Sequence, residues 1–124
     1  MSFSNYLEDE LLDHVFANAS YTSPTTVYCK LHTGAAGEAG TANAASHTTR
    51  VAISFGTSSS GAIANDTAVA FTSLSAAETI SHFSIWDNLT AGNCLAVGAL
   101  DTGRTVAISD SLTFAIGDLD ITLD

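Results

Sequence analysis

The sequence predicts an all-β protein: an antiparallel β-sandwich of jelly-roll-like order with one N-terminal amphipathic helix. Three observations carry that expectation. Roughly eight short segments alternate apolar and polar residues at a spacing of roughly eight to twelve residues, which is the rhythm of a sandwich or barrel. Helical periodicity never alternates with them, which argues against a parallel α/β fold. Residues 78–101, ETISHFSIWDNLTAGNCLAVGALD, carry large apolar groups on both faces around the single tryptophan, as a central hairpin covered on both sides would.

The elements follow in order. Ser4 caps a helix expected to run to about residue 17. Leu7, Leu11 and Val15 fall four apart, Leu12 and Phe16 widen the stripe, and Glu8, Asp9 and Glu10 lie where the helix dipole favours negative charge. Phe3 and Tyr6 enlarge an apolar side already wide for its length, so this helix needs something to lie against. Polar residues 18–24 end in a proline and turn the chain into its first strand. There, in TVYCKLHT (26–33), Val27, Cys29 and Leu31 share one side and Tyr28, Lys30 and His32 the other, which reads as half-exposed. Residues 34–49 are rich in Gly, Ala, Thr, Asn and Ser without a period, and exceed usual loop lengths, so they are expected to be mobile or held by a partner.

Residues 50–55 point Val51, Ile53 and Phe55 inward, 56–61 form a Ser/Gly connector, 62–64 pair briefly, and 67–72 point Val69 and Phe71 inward. In the central hairpin Ile80, Ser84 and Trp86 share one side and Phe83 and Ile85 the other. Thr102 and Gly103 read as a tight connection into a separate strand at 104–108. Strands at 111–116 and 119–123 then follow turns at Ser109 and Asp110 and at Gly117 and Asp118.

At 124 residues the chain fits one domain, 1–124, divided into a helix (1–18) and a sandwich (26–124). A chain of that size buries roughly two thirds of its unfolded surface. With 46% hydrophobic and 13% charged residues it belongs with globular rather than disordered chains. No apolar run nears the ~20 residues of a membrane span. The acidic start lacks a secretory signal's basic region, so synthesis in a cytoplasm is expected and no membrane partner is. Lys30, Arg50 and Arg104 stand against thirteen acidic residues, for a net charge of −10. So few cations cannot displace the counterions of a nucleic acid, which removes it as a partner.

Nothing in the chain is arranged for catalysis. His14, His32, His47 and His82 share no metal-ligand spacing, so no metal and no cofactor is expected. Ser84, His82 and Asp87 supply the residue types of a hydrolase triad without a nucleophile elbow. Asp118 and Asp120 read as a solvated edge rather than a glycosidase pair, and Trp86 as core rather than a sugar platform. Cys29 and Cys94 sit in strands with apolar neighbours and no CxxC spacing. Buried reduced thiols fit them best, with a disulfide between adjacent strands or between copies left open.

Taken in order, SFSNYLEDELLDHVF, TSPTTVYCKLHT with GAAGEAGT after it, HFSIWD and GALDTGRTVAISDSLTFAIGDLDITLD make the chain resemble a family of small virion structural proteins of tailed bacteriophages, the tail-fibre or decoration proteins. That resemblance implies a noncatalytic building block of the virion, made in the host cytoplasm and repeated many times on the particle. It implies a homo-oligomer, a trimer, in which weak footprints act together. The first expectation is a capsid decoration (cement) protein on the major capsid protein. The alternative is a tail, collar or fibre component contacting other tail proteins or a host receptor. A carbohydrate-binding accessory or small hydrolase is the competing class. Contacts are expected from Phe3, Tyr6, Leu7, Leu11, Val15 and Phe16 on the helix and from Glu38 and His47 in the long loop. Cys29 and Cys94 depart from the family pattern, which adds weight to a covalent link between them or across copies.

Overall fold

The computed structural model describes residues 2–123, so the ends of the expected 1–124 domain, Met1 and Asp124, lie outside the described residues. Ser2–Phe3 form a short strand, β1, ahead of the helix α1 at Asn5–Phe16. Then come β2 (Val27–His32), β3 (Val51–Ile53), β4 (Ala62–Ala64), β5 (Val69–Phe71), β6 (Glu78–Trp86), β7 (Cys94–Val106), β8 (Leu112–Phe114) and β9 (Asp120–Thr122). All pairings are antiparallel. A five-stranded sheet has the order β1-β7-β6-β2-β3, and β4-β9 and β5-β8 form two-stranded ladders. The β6–β7 hairpin therefore lies at the centre of the large sheet, as its two-sided apolar pattern requires.

The core lies between that sheet and the two ladders. Leu31, Ile53, Ile80, Phe83 and Ile85 from the sheet meet Val69, Phe71, Leu112, Phe114 and Leu119 from the ladder side in one buried cluster. Phe71 and Phe114 pack edge to face across β5–β8, with ring centroids 6.3 Å apart. The arrangement is the antiparallel sandwich expected, with layers of unequal size.

Residues 62–71 and 112–122 run antiparallel as one ribbon that breaks in the middle. The register slips by one residue between β4–β9 and β5–β8, and the buried Asn65 side chain fills the break. Its Nδ2 donates to the carbonyls of Thr67 (2.8 Å) and Ala115 (2.9 Å), and its Oδ1 accepts from Leu119 N–H (2.9 Å). Of these groups the Leu119 N–H is buried and has its partner in Asn65, while the Ala115 carbonyl also accepts from Asp118 N–H (3.1 Å).

Two sequence expectations are corrected at the centre. Thr102 and Gly103 make no turn: β7 runs unbroken through them, and Gly103 is not among the residues of positive φ. Instead the pairing jumps from Ile80–Arg104 to His82–Ala99, so residues 100–103 oppose Ser81 alone. This bulge reverses the phase of β6. Ile80 thereby joins Phe83 and Ile85 in the core rather than sharing a side with Ser84 and Trp86.

The first part of the loop at 34–49 folds back on its own sheet. Ala45 N–H donates to Leu31 O (3.1 Å), Thr33 N–H to Asn43 O (2.9 Å) and Ala42 N–H to Ala36 O (2.9 Å). Ala36, Gly40 and Ala45 are buried. At Gly40 (φ +67°) an added Cβ would collide with Cys94 Sγ and come within 3.0 Å of the Trp86 ring, so only glycine lets the backbone lie this close. A loop of small residues thus takes the place of a second sheet over this face of the hairpin.

Candidate interaction surface

The first turn of α1 is fixed and the rest stands free. Ser4 is buried, and its Oγ accepts from Leu7 N–H (3.2 Å) while donating to the Cys94 carbonyl. Ser4 N–H also donates to Leu95 O (2.9 Å), so the N-cap is tied to β7. Phe3, Tyr6 and Leu7 pack against the core. Beyond them Leu11, Leu12, Val15 and Phe16 are exposed, Phe16 to 82%. Their positions in the chain place them along one ridge of the helix.

The structure therefore divides the residues expected to make contacts. Leu11, Val15 and Phe16 come together on the ridge, joined by Leu12, whereas Phe3, Tyr6 and Leu7 are half-buried against the protein's own core. Glu38 is exposed in the folded-back loop and takes long hydrogen bonds of 3.4 Å from Ser2. His47 lies elsewhere, edge-on to Phe71 at 6.3 Å. Leu12 was legible as part of the helical stripe. Its exposure was not, because periodicity does not tell an inward stripe from an outward one.

The polar candidates are committed to structure. Buried His32 bonds through Nδ1 to the Ala42 carbonyl (2.8 Å) and through Nε2 to Ser84 Oγ (2.7 Å). Trp86 Nε1–H donates to the same Ser84 oxygen (2.8 Å). One proton assignment satisfies the chain: Nδ1–H donates to Ala42, Ser84 O–H donates to Nε2, and His32 is neutral. Burial, the largest influence on it, holds the His32 pKa below its ordinary value. His82 bonds to Ser81 (2.8 Å), and Asp87 takes both amide groups of Asn93 (2.7 and 2.9 Å). Ser84, His82 and Asp87 thus do not assemble a triad. Asp118 accepts from Ala115 N–H (2.9 Å) and pairs with Arg104 at 3.5 Å. Among the described residues no group of three or more His, Cys, Asp or Glu is placed to hold a metal.

Both cysteines are free and buried. Cys29 belongs to the core, opposite Ile85, whereas Cys94 lies beside Trp86 under the loop. Alternation along β6 puts Ile85 and Trp86 on opposite faces, so the two thiols are separated by the sheet and make no bond to each other. Burial pushes the Cys29 thiol up to about 12 and that of Cys94 to about 11, so neither is poised as a nucleophile.

The three cations are engaged too. Arg50 lies over the Trp86 ring at 3.8 Å and donates to the carbonyls of Asn88 and Ala91 (2.7 Å each). Lys30 sits 5.8 Å from the same ring, and Arg104 lies 5.5 Å from Phe114. Outward the described residues present acid, hydroxyl and amide groups, the apolar ridge of α1, and exposed Leu89, Ile108, Ile116 and Leu123 elsewhere in the chain.

These features define a small antiparallel β protein whose helix carries an exposed apolar ridge. No curated protein matches the chain. Residues 2–122 match the family described as podophage GP4 fiber I protein gp80, and the chain belongs to that family. It is a small structural protein of the virion of a tailed bacteriophage.

Proposed function

We propose that the protein is a non-enzymatic fibre component of the phage tail, assembled as a homotrimer and attached to neighbouring tail proteins through Leu11, Leu12, Val15 and Phe16. The observation that carries this reading is the ridge itself. Four large apolar side chains lie exposed on one short helix, whereas scattered single ones need no explanation. The anchored Ser4 cap gives the ridge a fixed base, which lowers the entropy lost on docking.

Glu8, Asp9, Glu10 and Asp13 share the helix with the ridge. The chain's own cations are engaged internally, so the partner that fits is a different protein with an apolar groove and a basic rim. The family's description as a fibre protein supports the tail over the capsid shell, which the sequence placed first. A trimer would join three small footprints by avidity.

The test replaces the ridge without disturbing the fold. Leu12→Gln with Phe16→Gln should shift stability by no more than about 0.5 kcal/mol per site, since both side chains are exposed. Incorporation into particles should nevertheless be lost. Full incorporation of the double variant would remove the ridge from the interface.

A further inference from the structure

We infer that the trough between the first turn of α1 and the β6–β7 turn is a binding site for a neutral saccharide. Two adjoining depressions of about 340 and 430 Å³, with Tyr6, Gly92 and Asn93 lining both, make up the trough. Each alone falls within the size range of small-ligand sites, about 300–1,000 Å³. One half reaches Glu38 and Thr41 in the folded-back loop, and the other reaches Tyr21 and Thr25 ahead of β2.

The lining has the two kinds of surface that a sugar presents in complement. A pyranose offers C–H faces that pack on aromatic rings and hydroxyl edges that need donors and acceptors. Tyr6 and Tyr21, both half-buried, supply the rings. They lie close enough for one phenol to influence the other, and burial followed by nearby carboxylates holds both protonated as donors. Trp86 forms the floor of one half but is committed, with its N–H on Ser84, Arg50 over its ring and 6% exposure. Stacking therefore falls to the tyrosines.

The polar groups are held in place before any ligand arrives. Asp87 clamps Asn93 through two hydrogen bonds across the turn, where Gly92 has φ +72° and no room for a Cβ. Asn93 uses its amide N–H on Asp87, which leaves its side-chain carbonyl for a ligand hydroxyl. No buried side-chain N or O lacks a partner among the described residues, so polar lining atoms without an internal bond face solvent. Glu38 and Asp87 accept from hydroxyls and repel phosphate, sulfate and carboxylate. None of the three cations lines the trough, so the ligand class is uncharged.

An array of neutral, sialylated and sulfated glycans probed with the intact purified protein, followed by affinity titration of the strongest neutral hit, tests the assignment. Neutral glycans should bind and charged ones should not. Tyr21→Ala, in an irregular segment, and Asn5→Ala, at an exposed residue lining the half that reaches Glu38, should each weaken the hit about tenfold, while Leu12→Gln on the ridge leaves it unchanged. Absence of neutral binding, binding confined to charged glycans, or full affinity in both trough variants would overturn the site. Tyr21→Ala should still enter particles, so a failed array and a failed attachment reading are told apart.

Discussion

Asn65 shows how much one side chain can hold. Three hydrogen bonds from its amide suture the break between two ladders whose registers disagree by one residue. Asn65→Ala removes them all and leaves the buried Leu119 N–H unpaired, so it should cost about 3 kcal/mol in urea unfolding. Asn65→Asp should be worse at neutral pH, because a carboxylate would face two carbonyls, and should recover as pH falls and the acid protonates. An Asn in a polar connector looks like an ordinary turn former, so nothing in the sequence marked this one out. His32 is the second such residue. Alternation placed it on the outward side of its strand, and only the loop folded over that side makes it buried.

Neutral burial of His32 gives a signed pH dependence. Its folded-state pKa lies below the ordinary 6.5, so the unfolded chain takes up the proton first. Its contribution to stability is complete above pH 6.5 and is lost as pH falls from there through the folded pKa. Unfolding measured from pH 8 to pH 5 should show stability declining below about 6.5, and His32→Gln should flatten that decline. A slope unchanged in the variant would place its origin in another group.

At the scale of elements, the helix and its cap were legible because Ser4 and the four-residue spacing of Leu7, Leu11 and Val15 are strong local signals. The two-residue β1 was not, since two residues carry no period and pair only because β7 offers an edge. The bulge in the central hairpin was hidden for a similar reason. A Thr-Gly pair looks alike whether it turns the chain or bows it outward, and what decides is the partner strand. The loop over the hairpin depends on Gly40, whose role comes from contact with Cys94 and Trp86, far away in sequence. Gly40→Ala should lift the loop and destabilise the protein by about 1–3 kcal/mol, with Trp86 fluorescence shifting toward that of an exposed indole. Native stability and an unchanged spectrum would show that the loop does not need the close approach.

For the whole molecule, composition and strand rhythm were enough for the fold class, while strand order was not readable because pairing is nonlocal. The candidate surface was half legible. The helix stood out as an anchor, but its division into an inward first turn and an outward ridge required the structure. The trough at Tyr6, Tyr21 and Asn93 joins three segments separated in the chain and left no local motif. Charge favours a different protein as the attachment partner of the ridge: with three engaged cations against thirteen acids, a basic rim complements this surface best.

Imaging intact particles at a resolution that traces this chain tests the central claim most directly. The account predicts density on the tail, in a copy number that is a multiple of three and at most a few tens, with α1 seated against another tail protein. Hundreds of copies spread over the capsid shell, or α1 left in open solvent in every copy, would contradict it.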